Sequence, residues 1–302
     1  MSTPSQASVD TVALQTVRVR RGRLDQALSL ARQKPLGSVS LAVIVGLILM
    51  AVFAGVVAPY DPEKIHYDAR LIGPGARYWL GADGLGRDVL SRIIYGARVS
   101  LYVGLVAVGI GTLWGSTLGL VSGYFGGKLD IVVQRFVDTI MSFPGLILAL
   151  GLMAMLGGSL NNVVMVLAVV MGPGTSRIVR SAVLSVKENQ YIDAAHCIGA
   201  SNLRILRRHV FPNVTAPILV IASVQVGSAI LIEASLSFLG YGTPPNIASW
   251  GGMLSGEGRR NMESAPFLAV IPGLAISVVV LSFNLFGDAL RDIWDPRLRG
   301  SR

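Results

Sequence analysis

The pair Gly127-Lys128 is one place in this chain where residue types and spacing could do chemistry, because phosphate-binding loops end in Gly-Lys followed by Ser or Thr. Such a loop also needs a glycine five residues before the second one. Here Ser122 occupies that glycine position and Leu129 occupies the hydroxyl position. We therefore expect no nucleotide site of this kind, and no ATP hydrolysis by the chain itself.

Nucleophilic and metal-dependent catalysis also lack the residues they need. The histidines are His66, His196 and His209, and all three lie outside the long apolar runs. Ser176 therefore has no histidine within a helix that could activate its hydroxyl. We expect that the chain is not an enzyme and that it binds no metal or other cofactor.

Glu233 is the clearest charged residue inside an apolar run. A charge at the centre of a bilayer costs about 2.5–3.5 kcal/mol, so this carboxylate should face protein or water. One interpretation is a gate or a residue on a translocation path. The alternative is a hydrogen bond between helices, or contact with headgroups at a helix end.

Long uncharged runs indicate which elements must position these residues. Of the 302 residues, 52% are hydrophobic and 14% charged, and the mean hydropathy is +0.60. A soluble domain carries about 25% charged residues. Runs without Asp, Glu, Lys or Arg cover 38–58, 99–122, 139–176, 210–232 and 264–287. One crossing takes about 20 residues, and the third run is long enough for two, so we predict an all-α polytopic membrane protein with six transmembrane helices.

The net charge of +9 would suggest nucleic acid in a soluble protein, but its distribution suggests membrane orientation instead. If the helices cross six times, 18 of the 26 lysines and arginines fall on the side of the N-terminus. Basic residues concentrate on the cytoplasmic side. We therefore predict cytoplasmic N- and C-termini, contact with membrane lipid and no nucleic-acid partner. Cys197, the single cysteine, falls on that inner side, which excludes an intrachain disulfide.

The predicted segments follow from these runs and from the proline and glycine between them. They are a cytoplasmic tail (1–37), a first transmembrane helix (38–58), an outer segment (59–97), a five-helix core (98–288) with a polar stretch at 185–212, and a cytoplasmic tail (289–302). Core helices are predicted at about 99–122, 133–156, 162–180, 212–238 and 266–288. The first apolar run begins only after about 38 polar residues, so we expect it to remain as an anchor.

Six basic residues between 59 and 98 contradict the charge bias, and they need a physical explanation. From Asp88 onward, Val89 and Ile93 fall on one side of a helix, whereas Arg92 and Arg98 fall elsewhere. This pattern predicts an interfacial amphipathic helix that leads into the next span, with basic side chains reaching lipid headgroups.

Four glycines repeat at every fourth position of the run 99–122 and just beyond it: Gly111, Gly115, Gly119 and Gly123. Residues four apart share one helix face, so they form a smooth groove about 18 Å long. Such a groove lets another helix approach closely. We predict a packing surface, within the chain or between subunits.

The stretch 185–213, SVKENQYIDAAHCIGASNLRILRRHVFPN, is too polar for lipid, yet it keeps helical periodicity. Apolar residues recur at helical spacing on both sides of Gly199, which predicts two short helices at a bend. Ser201 or Asn202 could cap the second helix. One interpretation is a helix pair that projects into the cytosol and engages a groove on another protein; the alternative is an interfacial helix on anionic lipid.

This stretch resembles the EAA motif of ABC importer permeases, which reads Glu-Ala-Ala, three residues, Gly, nine residues, Ile, one residue, Leu-Pro. Ala194, Ala195, Gly199 and Pro212 match at the expected spacing, and Asp193 keeps the carboxylate. His209 and Phe211 depart from the motif's Ile and Leu. Segments 80–101, 119–130, 233–254 and 287–299 are similar to the second (C-type) permease of the dipeptide, oligopeptide and nickel importers.

The resemblance implies a type I ABC importer transmembrane domain whose cytoplasmic coupling helix lies between the fourth and fifth spans. It implies half of a translocation pathway for short peptides or a related solute. The implied partners are a homologous second permease, two ATPase subunits that hold ATP and Mg²⁺, and an extracytoplasmic solute-binding protein, all at a bacterial inner membrane. The residues expected to couple to the ATPases are Asp193, Ala194, Ala195, Cys197, Gly199, Ala200, Ser201, Asn202, Leu203, Arg204 and Pro212.

Two other classes of protein stay open on the residues alone. A self-sufficient secondary transporter or channel would carry ion-coupled charges in several spans and inverted repeats, and neither is evident here. A membrane scaffold would have no pathway at all. Copurification with ATPase subunits and ATP-dependent uptake would separate the three classes.

Overall fold

The computed structural model describes residues 34–244 and 246–294, and these residues are almost entirely helical. The predicted tails, 1–37 and 289–302, fall largely outside the described residues. The helices are α1 (Pro35–Val52), α2 (Ala54–Val57), α3 (Val89–Phe125), α4 (Gly127–Met141), α5 (Gly145–Leu156), α6 (Leu160–Lys187), α7 (Gln190–Cys197), α8 (Asn202–Ile205), α9 (Phe211–Phe238), α10 (Trp250–Met253) and α11 (Phe267–Trp294). Single π-helical turns at Leu206–Val210 and Leu254–Gly258 follow α8 and α10.

Five of these helical stretches are long and apolar enough to cross a membrane, and the bent pair α4–α5 makes a sixth if it counts as one span. The prediction of six spans is therefore confirmed if α4 and α5 together count as one span. The pair bends by 84° at Ser142-Phe143-Pro144. Pro144 precedes α5 and cannot donate a backbone hydrogen bond, which accounts for the break at this position.

Helix α3 is the centre of the bundle, and it packs most extensively against α6. It also contacts α9 and α1, while α11 lies against α9 and α1. The four repeated glycines of α3 face α6. A Cβ atom built on Gly115 would lie 2.3 Å from the Gly172 carbonyl oxygen, and one on Gly119 would lie 2.5 Å from that of Ser176. Gly111 and Gly123 make similar close approaches to Ala168 and Val183. The groove therefore accommodates a helix of the same chain.

The predicted interfacial helix is wrong, because α3 runs without interruption from Val89 to Phe125. Its basic residues reach protein groups instead of headgroups. Arg92 is 4% exposed and forms an ion pair with Asp83, and Arg98 donates hydrogen bonds to the carbonyls of Ala51 and Val52 at the end of α1. Residues 89–97 therefore belong to the second span, and the predicted outer segment ends at Asp88.

Several other boundaries differ from the predictions; α4, for example, begins at Gly127, six residues before the predicted 133. The first span begins at Pro35 and is interrupted at Phe53. Helix α6 continues through Pro173 to Lys187, seven residues beyond the predicted end. Helix α11 continues to Trp294, six residues beyond its predicted end, and Lys34 at the start of α1 forms an ion pair with Asp292 near that end. The described part of the C-terminal tail is thus helix.

Candidate functional site

The loop between α6 and α8, residues 188–201, begins with a capped turn. The Asn189 side-chain amide donates to the carbonyls of Ser185 and Val186 in the last turn of α6, and the Asn189 backbone amide also donates to the Val186 carbonyl. Helix α7 then turns Ile192 and Ala195 inward, where they are 2% and 5% exposed. The rest of α7 is exposed. The loop is therefore an amphipathic helix fixed to the ends of the spans.

Gly199 ends α7 in a left-handed conformation, with φ of +76°. The amide of Gly199 donates to the carbonyl of His196, and the amide of Ala200 donates to that of Ala195. These two bonds define a Schellman motif, which needs a residue with positive φ at the glycine position. The predicted bend at Gly199 is thus present, and its cause is a helix C-cap.

The second short helix of the prediction is not separate. From Asn202 the chain continues through α8, the π turn and α9 as one helical stretch to Phe238, so the fifth span starts ten residues before the predicted 212. Ser201 stands at the N-cap position but makes no side-chain capping bond. Pro212 lies directly after the π turn, where a wider hydrogen-bond pattern accommodates its missing backbone donor.

A small apolar core beneath the loop joins it to three spans. We call it the inner cluster. Its buried members are Tyr124 of α3, Val179 and Val183 of α6, Ile192 and Ala195 of α7, Ile205 of α8, Val210 of the π turn and Val214 of α9. Ala195, one of the residues expected to couple to the ATPases, belongs to this cluster, so its side chain packs inward. The loop should therefore move together with the inner ends of these spans.

Tyr124 is the polar junction of the same region, and nothing in the sequence patterns singled it out. Its hydroxyl donates to the Asn202 side-chain oxygen at 3.2 Å. Its carbonyl accepts from the Lys187 ammonium at 2.6 Å, and that ammonium lies 5.6 Å from the centre of the Tyr124 ring. One residue thus ties the end of α3 to the end of α6 and to the start of α8.

The end of the loop and the first turn of α8 together expose apolar side chains, and we call this surface the tip. Ile198 is 84% exposed and Leu203 is 62% exposed. Most of the expected coupling residues share this exposed surface: Asp193, Ala194, Cys197, Gly199, Ser201, Asn202, Arg204 and Pro212, with Ala200 half-buried. Ile198 was not among the expected coupling residues, although its exposure is the largest of the loop's apolar residues. The tip therefore combines apolar side chains with a basic flank.

Glu233 lies at the opposite end of α9, completely buried. Its Oε1 accepts a hydrogen bond of 2.8 Å from the Ser237 hydroxyl, which in turn accepts from the amide of Thr243. The Thr243 and Ser249 hydroxyls are 2.7 Å apart. The Oε2 atom of Glu233 has no hydrogen-bond partner among the described residues. The carboxylate is thus embedded in a polar chain that fastens the loop 239–265 to α9.

Next to this polar chain is a cavity of about 590 Å³ between the start of α3 and the loop 239–265. Ser237 and Thr243 contribute to its wall, and so do charged residues of both signs: Asp83, Arg87, Arg92, Glu257 and Arg260. The sequence patterns did not bring these together, because residues 83–92 and 257–260 are far apart along the chain. Within the described residues, no group of histidine, cysteine or carboxylate side chains has the arrangement of a metal site.

The described residues are mostly helical, with up to six candidate spans, a glycine-lined helix pair and a polar loop packed on three span ends, and these features define a polytopic membrane subunit. The sequence matches the family described as binding-protein-dependent transport system inner membrane component over residues 115–300. It also matches the N-terminal TM domain of oligopeptide transport permease C over residues 24–74. The chain therefore belongs to this family, as a C-type permease of the peptide ABC importers.

Individual relatives agree with this family. The dipeptide transport system permease protein DppC of Alkalihalophilus pseudofirmus is 41% identical over 274 residues, 91% of this chain and 90% of the relative. The glutathione transport system permease protein GsiD of Pectobacterium atrosepticum is 43% identical over 254 residues, 84% of each chain. A chain of the MetNI methionine ABC transporter in an inward-facing conformation has a TM-score of 0.57 at 19% identity, covering 68% of this chain and 97% of that chain.

The structural match fixes the fold as that of a type I ABC importer transmembrane domain. The family places the protein in the inner membrane as a multi-span permease subunit of an ATP-driven importer. Membership also implies association with ATPase subunits and with another permease.

Proposed function

We propose that the protein forms half of the translocation pathway for short peptides or a related small solute, delivered by an extracytoplasmic solute-binding protein. The support comes from relatives named for dipeptide and glutathione transport that cover most of this chain. The cavity between the start of α3 and the loop 239–265, which we call the outer cavity, carries charges of both signs and also suits small polar solutes.

The observation that carries the mechanism is the exposed apolar tip formed by the loop 188–201 and the first turn of α8. Ile198 and Leu203 are held outward by the glycine C-cap, while Ile192 and Ala195 anchor the loop to the spans. An exposed apolar pair with a basic flank is the kind of surface that a partner protein covers. We assign this tip to the groove of an ATPase subunit.

Coupling then follows from the inner cluster. When ATP closes the ATPase dimer, the tip moves with it, and Tyr124, Ile192 and Ile205 transmit that movement to α3, α6 and α9. The spans alternate between an outward-open and an inward-open arrangement, so nucleotide binding in the partner shifts a two-state equilibrium in this chain. The chain contributes no catalytic residue and holds no cofactor in this proposal; ATP and Mg²⁺ reside on the ATPase subunits.

The proposed orientation places both termini and the loop tip in the cytoplasm. Cys197 is the only cysteine of the chain, it is free and it is exposed. A membrane-impermeant maleimide should label it in inside-out vesicles and leave it unlabelled in right-side-out vesicles. Labelling with the opposite sidedness would refute the docking of the loop on an ATPase.

The decisive experiment reconstitutes the complete importer in liposomes: this chain, the second permease, two ATPase subunits and the binding protein. Uptake of labelled dipeptide should require ATP and the binding protein together. Uptake driven by an ion gradient without ATPase subunits would support a secondary transporter instead. Failure of the chain to copurify with any ATPase subunit would favour a scaffold.

A further inference from the structure

The charged wall of the outer cavity contains two groups that are held by protein partners, Asp83 and Arg92, and three that keep donors or acceptors unused by any described residue. The Oδ1 atom of Asp83 accepts from the amides of Leu85 and Arg87, and its Oδ2 accepts from Nε of Arg87 at 2.7 Å and lies 3.7 Å from Nε of Arg92. Arg92 also donates to the Pro62 carbonyl. Asp83 therefore lies between two guanidinium groups, and with Arg92 it forms a rigid part of the wall.

Glu257 is held in place from the other side of the cavity. The Oε2 atom of Glu257 accepts a hydrogen bond from the Asn261 side-chain amide at 3.0 Å. The same oxygen packs against Gly84, because a Cβ atom built on Gly84 would lie 1.9 Å from it. The Oε1 atom of Glu257 has no hydrogen bond within the described part of the chain. One carboxylate oxygen is thus positioned and available to a donor.

Two arginines supply the opposite charge. Arg260 lines the cavity and makes no ion pair or hydrogen bond with any described residue. Arg87 uses only Nε on Asp83, which leaves its two terminal nitrogens free of described partners. A guanidinium presents donors in a planar fork that matches a carboxylate, whereas a lone carboxylate oxygen suits an ammonium group.

We propose that this cavity is a binding site for a zwitterionic solute, with the solute carboxylate on Arg260 and Arg87 and its ammonium group on Glu257. The volume of about 590 Å³ lies within the range of small-molecule sites and admits a di- or tripeptide. A purely anionic solute would leave Glu257 facing like charge, and a cation would face two arginines. This inference rests on the proposed transport of short peptides, and it adds where the permease itself contacts them.

The test measures binding of radiolabelled alanyl-alanine to the assembled importer in lipid nanodiscs, without the binding protein, so that its own affinity does not contribute. Arg260→Gln should weaken binding at least tenfold. Arg259→Gln is the matched control, because Arg259 is the adjacent exposed arginine, stacks on Phe238 and does not line the cavity. That control should bind within twofold of wild type.

Chemically blocked probes assign the charges separately. Wild type should bind the C-terminal amide of the dipeptide at least tenfold more weakly, and Arg260→Gln should bind the amide and the acid alike. Glu257→Gln should lose the discrimination against the N-acetylated dipeptide in the same way. Both variants remove surface charges at a cavity wall, so their assembly into the importer can be verified by size-exclusion chromatography.

The outcomes separate this site from the proposed function. Equal dipeptide binding by wild type and Arg260→Gln would overturn the site, and so would absent binding to a wild-type importer that still performs ATP-driven dipeptide uptake. A wild-type importer without ATP-driven dipeptide uptake would instead overturn the proposed function. If Arg259→Gln lost the preference for the dipeptide acid over its C-terminal amide as strongly as Arg260→Gln, that result would also count against the site, because it would indicate a general charge effect.

Discussion

The hydroxyl of Tyr124 at the end of α3 donates a hydrogen bond to the side chain of Asn202, 78 positions further along, at the start of α8. The bond joins the central helix of the bundle to the loop that carries the exposed tip. Asn202 lies next to Leu203, which is exposed. A displacement of the tip should therefore reach α3 through this bond as well as through the apolar contacts of the inner cluster.

Tyr124→Phe removes the hydroxyl and keeps the ring, so the apolar packing is retained. A net hydrogen bond contributes about 1 kcal/mol, which should leave the fold intact and loosen the connection between α3 and the loop. We expect fewer solute molecules transported per ATP hydrolysed by reconstituted importer. Tyr102→Phe is the control, because Tyr102 is half-exposed on the same helix and makes no hydrogen bond among the described residues. Equal coupling ratios in both variants would contradict the role of the bond.

Gly199→Val should uncouple ATP hydrolysis from transport. No atom lies within 4 Å of a Cβ at Gly199, so the cost comes from its positive φ, about 1–2 kcal/mol for a residue with a side chain. Release of that strain should undo the Schellman motif and turn the tip away. The assay compares ATPase activity with uptake in proteoliposomes.

Gly157→Val provides a matched comparison, because Gly157 also has a positive φ and open space, but lies at the opposite end of α6. Its ψ of 161° makes a side chain there even less favourable, so Gly157→Val should carry at least the strain of Gly199→Val while keeping the wild-type ratio of uptake to hydrolysis. Uncoupling by Gly157→Val, or normal coupling in Gly199→Val, would show that the shape of the loop at Gly199 is not what matters.

The helices were predictable because lipid imposes a simple requirement: every span needs an uncharged run of sufficient length. The ends of spans are set by tertiary contacts that such runs do not report. Arg92 and Arg98 read as surface charges in the sequence, yet Asp83 and the carbonyls of α1 pair with them, so α3 extends past both. The continuity of α8 with α9 similarly depends on a π turn that no periodicity predicts.

Ile198→Ala combined with Leu203→Ala should weaken attachment of the ATPase subunits. Both side chains are exposed in the permease alone, so their truncation should cost its folding little, whereas fully burying an Ile or Leu side chain at an interface is worth about 1.5–3 kcal/mol. Copurified ATPase should fall at least tenfold in a detergent pull-down. Leu113→Ala is the control, since Leu113 is 72% exposed but lies within the apolar length of α3. ATPase retained at the wild-type level by the double variant would argue against the tip as the docking surface.

The loop shows which parts of a site a sequence pattern can supply. The spacing of Ala195, Gly199 and Pro212 located the loop, and the glycine located its bend. The pattern did not reveal that Ala195 faces inward, because both faces of α7 carry small or apolar residues until a neighbour covers one. Tyr124 escaped notice because its partners Lys187 and Asn202 lie 63 and 78 positions away.

Gly115→Ala should destabilise the permease. A single added methyl group would lie 2.3 Å from the Gly172 carbonyl oxygen, so α3 and α6 must separate, and overpacking of this kind costs about 1–3 kcal/mol. We expect a lower midpoint of thermal unfolding in detergent. Gly109→Ala on the same helix has nothing within 4 Å of the new atom and should unfold at or above the wild-type temperature. Equal midpoints for the two variants would contradict a tight α3–α6 contact.

Glu233→Gln separates the two interpretations that the sequence left open for this residue. The amide keeps an oxygen that can accept from Ser237, so the polar chain to Thr243 stays intact, and we expect wild-type stability and uptake. Glu233→Leu removes the acceptor and leaves buried hydroxyls unpaired, at a cost of about 1–3 kcal/mol. Its unfolding midpoint should fall. Lost uptake in Glu233→Gln at an unchanged unfolding midpoint would instead show that the carboxylate itself takes part in gating, because the oxygen that accepts from Ser237 is retained.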